Sequence, residues 1–225
     1  DLHWFGLAWP EPVRFQSQET DTYQRALDAL ARAGLIYPCC CNRADIAQAA
    51  AAPQEGVPEF GPDGRIYPGT CRHRSLSQAR PGDALRLDMR KAVKALQKPV
   101  TYEEFGEQHS KRITLKAEAL IAQVGDVVLR RKDQGAAYHL AVVIDDDAQN
   151  ITDVVRGADL NAATQIHVVL QQLLNIPTPR YHHHSLIRDE TGKRLAKRSD
   201  SEALSSLRKA GHSAQDITER LFSAP

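Results

Sequence analysis

The placement of cysteines constrains this chain more than any other feature. Cys39, Cys40 and Cys41 are consecutive, and the fourth and last cysteine, Cys71, follows about thirty residues later. Adjacent cysteines rarely meet disulfide geometry, so the set is no disulfide framework; clustered thiols in an intracellular chain point instead to metal binding or reactivity. Between them, Pro53, Gly56, Pro58, Gly61, Pro62, Gly64, Pro68 and Gly69 punctuate the chain, and the segment reads as loops and turns closing at Cys71. A C-x-C pair, Cys39 and Cys41, with a third cysteine across a turn-rich loop suits a tetrahedral zinc knuckle in which Cys40 points away. A fourth ligand is then needed. Tyr67, four residues before Cys71, and His73, two after it, are the local candidates. Histidine is the ordinary choice, because a phenol with a pKa of ~10 must lose its proton to bind well. The competing reading is a small core of buried cysteines.

Around this segment the hydrophobic pattern alternates between helical and extended. Residues 21–33 read as a helix: Tyr23, Ala26, Leu27 and Leu30 recur at helical spacing, Asp21 and Gln24 have capping-box spacing, and Gly34 marks the stop. Leu35-Ile36-Tyr37 is a short apolar run into the cysteines, and a second helix starts at Arg43 or Ala44. Short strands are expected at Ala84–Leu87, Gly125–Leu129 and Ile151–Arg156, whereas 102–118 shows no clear apolar period. Tyr138–Ile144 fits a strand or a buried helix, which periodicity does not separate. Ile166, Val169, Leu170, Leu173 and Leu174 form a helical stripe closed by Asn175 and Pro177. A polar loop spans 188–200, and short helices are expected at 201–210 and 214–222. Strands alternating with helices predict an α/β architecture.

The 225 residues carry 29 Lys plus Arg against 28 Asp plus Glu, a net charge of +1, so a global basic field is excluded. Any contact with nucleic acid must come from local patches. No apolar run approaches the ~20 residues of a membrane span, and there is no signal-peptide pattern, so a soluble cytoplasmic protein is expected. The chain opens at Asp1 and its only methionine is Met89, which reads as a piece of a longer product.

Two further clusters carry possible chemistry. Lys193-Arg194-Leu195-Ala196-Lys197-Arg198 places four cations in six residues after Gly192. It is either a solvated basic loop or a mobile loop that neutralises phosphates, and no Walker A or G-x-G-x-x-G sequence accompanies it. Tyr138, the acids Asp145, Asp146 and Asp147, and Val155-Arg156-Gly157-Ala158-Asp159 form the second cluster. Arg156 at a strand end is suited to hold a carboxylate bidentately, or to form a salt bridge with one of those aspartates. His182-His183-His184 is not a single metal site, because consecutive residues point in different directions.

The segments 137–146 (Ala137-Tyr138-His139 through Asp145-Asp146), Val155-Arg156-Gly157-Ala158-Asp159-Leu160, Tyr181-His182-His183-His184 and Arg194-Leu195-Ala196-Lys197-Arg198 occur in the order of glutamyl-type class I aminoacyl-tRNA synthetases. The chain resembles that family over nearly its whole length. Tyr37-Pro38-Cys39 and Tyr67-Pro68-Gly69-Thr70-Cys71-Arg72 resemble its glutamyl-queuosine tRNA(Asp) synthetase branch, a short form without an anticodon-binding domain. The 27 residues that follow Arg198 fit the short form. The resemblance implies an α/β, Rossmann-type class I catalytic domain, N-terminally incomplete, with a zinc-bearing insertion. Residues 1–36 and 126–190 would belong to the catalytic domain, 37–125 to the insertion and connecting segment, and 191–225 to the KMSKS-type loop and C-terminal helices. It also implies ATP-dependent activation of L-glutamate, with Mg2+ accompanying ATP, and transfer to the queuosine base of tRNA(Asp) by a monomer. By the matching motif positions, Tyr138 and Arg156 would contact glutamate, Arg194 and Lys197 would contact ATP with Lys197 as the catalytic lysine, and Cys39, Cys41, Tyr67 and Cys71 would bind zinc. The resemblance thus favours Tyr67 over His73.

Two departures stand out. Arg194 replaces the first lysine of the loop and Ala196 its serine, which removes a hydroxyl. The chain also begins after the positions of the family's HIGH-type motif and of its glutamate-binding Arg, Ser and Glu. The expectation is that this chain by itself forms glutamyl-adenylate poorly, since one wall of the ATP site is missing, and that its sheet has an open edge. The rival expectations are a fragment of an ordinary glutamyl-tRNA synthetase and a zinc-containing RNA-binding module that has lost catalysis.

Overall fold

Helix α1 (Thr20–Arg32) forms where the apolar stripe predicts it and buries Tyr23, Ala26, Leu27 and Leu30. The expected capping box does not form: the helix starts one residue earlier, so Asp21 lies inside the first turn, where its charge suits the helix dipole. Gln24 Nε2 instead donates to Asp28, one turn on, at 2.7 Å. Gly34, at φ 70°, reverses the chain while Leu35 N–H reaches back to Leu30 C=O at 3.0 Å, a Schellman-type end that a Cβ would strain.

The computed structural model describes residues 1–50, 58–106, 110–132, 135–188, 192 and 203–223. The chain divides into two units, Phe15–His184 and Asp1–Arg14 with Ser185–Pro225. In the larger unit α1 leads to β1 (Ile36–Cys39), α2 (Arg43–Ala49), the hairpin β2 (Phe60–Gly61) and β3 (Gly64–Arg65), β4 (Ala84–Leu87) and α3 (Met89–Ala95). Next come β5 (Val100–Phe105), β6 (Ser110–Leu115), the short α4 (Ala117–Ala119) running into a π-turn at Leu120–Val124, β7 (Val128–Arg131) and β8 (Gly135–Ala136). The unit closes with α5 (Tyr138–Ala148), β9 (Asp153–Gly157), α6 (Thr164–Leu173) and β10 (Arg180–His184).

Two four-stranded sheets result. One is antiparallel in the order β1-β4-β7-β8, with Ile36 opposite Leu87 and Cys39 opposite Ala84. The other is mixed, in the order β6-β5-β10-β9: β5 and β6 pair as an antiparallel hairpin, while β10 runs parallel to both β5 and β9. Helix α6 makes the crossover between β9 and β10, the βαβ connection that parallel strands require. Strand β9 is an edge of this sheet among the described residues, and its Val155 is 62% exposed. The apolar run after Tyr138 is helical, burying Leu140, Ala141, Val143 and Ile144. The strand expected at Gly125–Leu129 begins three residues later, because Asp126 is taken up by other contacts.

Asp126 joins four segments. Its buried carboxylate accepts from Tyr37 OH at 2.5 Å, Arg72 Nε at 2.8 Å, Arg72 NH2 at 2.7 Å and Met89 N–H at 2.9 Å. Its carbonyl oxygen accepts from Arg86 NH1 at 3.0 Å. Burial, and then the Asp126 charge, push the Tyr37 phenol far above its ordinary value, so Tyr37 stays a donor.

In the smaller unit α7 (Leu204–Lys209) and α8 (Ala214–Ser223) fall close to the helices expected from sequence. Helix α8 starts at a reciprocal cap, with Asp216 N–H donating to Ser213 Oγ and Ser213 N–H to Asp216. Among the described residues, no helix is long and apolar enough to cross a membrane.

The carboxylate of Asp126 has more buried partners than any single side chain could replace. Asp126→Ala should lower the stability by ~3 kcal/mol, by stranding the Arg72 guanidinium. Tyr37→Phe, which removes one of its bonds, should cost about 1 kcal/mol. Urea denaturation of the two variants measures both.

Candidate active site and metal centre

The cysteine segment is folded by three local devices. Strand β1 buries Cys39 at its end, and Asn42 then starts α2 with a capping box to Asp45. On the return leg Tyr67 reaches over the turn Pro68-Gly69-Thr70 so that Cys71 N–H donates to its phenol oxygen at 2.8 Å. Gly69 sits at φ 90°, and a Cβ there would meet the Arg72 guanidinium at 2.6–2.9 Å, the same guanidinium that grips Asp126. Glycine is therefore required at this turn both for its backbone angle and for the close approach.

These devices bring the Sγ atoms of Cys39, Cys41 and Cys71 within 4.8 Å of one another, and Cys41 to 3.5 Å from Cys71. The Tyr67 hydroxyl lies 3.5 Å from Cys39 Sγ and 3.4 Å from Cys41 Sγ. A tetrahedral zinc with ~2.3 Å bonds to sulfur and ~2.0 Å to oxygen sets its ligands ~3.8 Å (S to S) and ~3.5 Å (O to S) apart. The three thiols and the phenol are thus spaced as a closed four-donor set. His73 is exposed and outside the cluster, and Cys40, also exposed, has its Sγ 3.7 Å from Cys71 Sγ while its carbonyl accepts from Lys132 Nζ at 2.6 Å. Burial pushes the Cys71 thiol up, but hydrogen bonds from Tyr67, from the Cys40 backbone and from Cys41 and Cys40 outweigh it and bring it down to about 6. Burial raises Cys41 to about 11, and burial with the three neighbouring cysteines raises the Tyr67 phenol. The Arg86 guanidinium stacks on the Tyr67 ring, 4.0 Å from its centroid.

An open cleft of ≈ 1870 Å³ lies beside this cluster, lined by Tyr67 and Arg86 on one side, Asp63 on the β2–β3 turn, and Tyr138, His139 and Gln165 on the helical side. Tyr138 begins α5 and is 44% exposed. Arg156, on β9, does not line the cleft. Its Nε donates to His183 Nε2 at 3.1 Å and its NH1 to His167 Nδ1 at 3.2 Å; its NH2 donates to Thr164 Oγ1 at 2.7 Å and to the Leu160 carbonyl at 3.3 Å. The salt bridge to Asp145–Asp147 weighed from sequence does not form: Asp145 accepts instead from Tyr23 OH and Gln16 Nε2. Four of the five guanidinium N–H groups are thus used on neutral partners. Tyr138 is joined to Arg156 through His167, whose ring packs 5.7 Å from that of Tyr138.

The partners of Arg156 were missed by the sequence reading. His139 and His167 are polar residues on mainly apolar buried helix faces, which also carry Asp145, Thr164 and Gln171; that was an available signal, whereas Glu104 carried none. The histidine triplet behaves as its alternation requires, with His182 Nδ1 on the Phe105 carbonyl and His183 facing Glu104. Arg194 and Lys197, with the rest of the basic loop, lie outside the described residues.

The sequence family model of tRNA synthetases class I (E and Q), catalytic domain, matches residues 1–222, and the chain belongs to that family. Among its curated relatives, a glutamyl-Q tRNA(Asp) synthetase of Rhodobacter capsulatus is 50% identical over 220 residues, covering 96% of this chain and 77% of that protein. Those of Albidiferax ferrireducens and Geobacter sulfurreducens are 39% and 40% identical, covering 88% and 92% of this chain and 66% and 60% of theirs. The chain therefore spans about three quarters of the first relative and less than two thirds of the other two. A solved glutamate tRNA ligase of Elizabethkingia meningosepticum shares the fold, with a TM-score of 0.59 at 21% identity, over 94% of this chain and 42% of that one.

Two buried groups set opposing acid responses. Burial, then the charges of His139, Arg156 and His183, depress His167 from 6.5 to about 2. Burial raises Asp146 from 3.8 to about 6, against the pull of Arg156. Below pH 6.5 the unfolded chain protonates at His167 while the folded one does not, so stability falls with acid, by up to ~1.4 kcal/mol per pH unit. Between pH 6 and 3.8 Asp146 binds a proton only in the folded state and offsets that loss. Asp146→Asn should therefore steepen the loss of stability between pH 6 and 4, measured by denaturant titration across that range.

Proposed function

We propose that this chain carries the amino-acid-activating and metal-binding parts of an enzyme that joins glutamate to the queuosine base of tRNA(Asp) at the expense of ATP. The observation that carries this reading is the 50% identity to a glutamyl-Q tRNA(Asp) synthetase across 96% of the chain. The exposed Tyr138 beside an Arg156-centred network supports an amino-acid site in the cleft. In the reaction, a glutamate carboxylate oxygen attacks the α-phosphorus of ATP and pyrophosphate leaves; the queuosine hydroxyl then displaces AMP. Neither step needs a side-chain nucleophile, so positioning and charge stabilisation carry the catalysis. Tyr138 contributes a hydrogen bond to glutamate and Arg156, linked to Tyr138 through His167, its charge, while Arg194 and Lys197 neutralise the phosphates, with Mg2+ accompanying ATP. An assay of glutamate transfer to queuosine-containing tRNA(Asp) and to tRNA(Glu), using the chain within its complete protein, tests the reading; transfer to tRNA(Glu) alone would replace it with an ordinary glutamyl-tRNA synthetase. Arg156→Lys keeps the charge but lacks the planar fork that makes the four guanidinium contacts, so glutamate-dependent pyrophosphate exchange should fall at least ~10-fold.

The donor set Cys39, Cys41, Tyr67 and Cys71 fits zinc. When bound, zinc would act structurally, because four protein donors leave no open position. Elemental analysis should find one zinc per chain. Cys71→Ser should lose it without unfolding the α/β core, since the site lies in a segment of turns. Well under one equivalent, with all thiols freely titratable, would show that the cluster is only a small core.

A further inference from the structure

Arginine has five donors and no acceptor. That fact orients every bond around Arg156. His167 Nδ1, 3.2 Å from Arg156 NH1, can only accept, so the His167 proton sits on Nε2. From there it donates to His139 Nδ1 at 3.1 Å, which leaves the His139 proton on Nε2, facing Asp63 Oδ1 at 3.3 Å. On the other side His183 Nε2 accepts from Arg156 Nε, so its proton sits on Nδ1, 2.9 Å from both Glu104 oxygens. The chain has one sense: donors point away from Arg156 and end on a carboxylate in each direction.

We propose that Asp63, His139 and His167 form a polarised relay through which the β2–β3 turn sets the position of Arg156, making all three positioning residues for the amino-acid ligand of the cleft. The inference rests on the amino-acid site proposed above. Three observations converge on it. The same two imidazoles support both residues assigned to glutamate: the Tyr138 ring lies 5.4 Å from His139 and 5.7 Å from His167, and His167 holds Arg156. His139 and His167 are 7% and 2% exposed on the mainly apolar buried faces of α5 and α6, where leucine or valine would pack without any hydrogen-bond requirement. Asp63 is anchored at the far end, its second oxygen accepting from Val128 N–H at 3.4 Å, and it belongs to the turn that follows the cysteines and precedes Tyr67. Loss of the Asp63 acceptor would strand the His139 Nε2–H, free that ring to change tautomer, and withdraw the acceptor on which His167 and then Arg156 depend.

Histidine tautomers read by two-bond 1H–15N spectra, together with arginine Nε resonances, of protein labelled with 15N-histidine and 15N-arginine at pH 7 test this directly. The expected spectrum has His139 and His167 as Nε2–H tautomers and His183 as Nδ1–H. Asp63→Ala should shift the His167 and Arg156 Nε resonances and weaken L-glutamate binding at least about fivefold, whereas Asp63→Asn, whose amide oxygen still accepts, should stay within about twofold of the parent protein. A His167 protonated on Nδ1, or Asp63→Ala leaving His167, Arg156 and glutamate affinity unmoved, would overturn the relay. If L-glutamate perturbs neither Tyr138 nor Arg156 in the parent protein, the amino-acid site is wrong and the proposal falls with it, even where the tautomers match.

Discussion

A single buried carboxylate holds the cysteine segment to the sheets. Asp126 stands just before β7, yet its partners come from β1, from the turn after Cys71 and from the start of α3. An unpaired carboxylate there would cost several kcal/mol, and donors from three separate segments share the task of pairing it. The result is a cooperative junction. Arg72 reaches Asp126 only because Gly69 lets the turn pass under its guanidinium, and that turn in turn sets the Tyr67–Cys71 spacing. The geometry of the sulfurs therefore depends on a contact that contains no sulfur.

Much of this was legible in the sequence, and the exceptions share a cause. The α1 stripe, the limits of β4 and the α6 stripe are local patterns, and the structure keeps them nearly residue for residue. The donor set Cys39, Cys41 and Cys71 was readable because metal-ligating residues are few and their spacing is informative. The β5–β6 hairpin was not. Only Val100 and Tyr102 of β5 are buried, and β6 is an edge strand facing water along most of its length, so no alternation of apolar residues marks it. That the partners of Arg156 would meet was equally hidden, although His167 itself carried a signal, because they come from β10, α6 and the turn before it and meet only once the crossover is made. The choice between Tyr67 and His73 was likewise a matter of which side chain the turn folds inward.

Three of the nine histidines lie in a continuous hydrogen-bonded line, which an interior tolerates because of its order. A charged imidazole beside Arg156 would meet a like charge in a medium of low dielectric. Burial first, and then the neighbouring His139, Arg156 and His183, depress His167 to about 2. Neutral rings can instead pass the orientation of one guanidinium outward, each satisfied at both nitrogens.

Two partly buried arginines of the larger unit, Arg72 and Arg156, show how differently the same group can be used. Arg72 is matched to a carboxylate on two of its nitrogens, and its charge is neutralised within the fold. Arg156 is surrounded by two imidazoles, a hydroxyl and a carbonyl, and among the described residues no carboxylate lies within ion-pair distance of it. Its geometry is fixed as firmly as that of Arg72, but its charge is not cancelled. Holding an unneutralised cation in a partly buried position costs free energy that an anionic ligand nearby would recover. A guanidinium fixed by neutral acceptors suits the carboxylate-binding role proposed above for Arg156, and the shift of Asp146 fits the same field, its burial raising it to about 6 only against the opposing pull of Arg156.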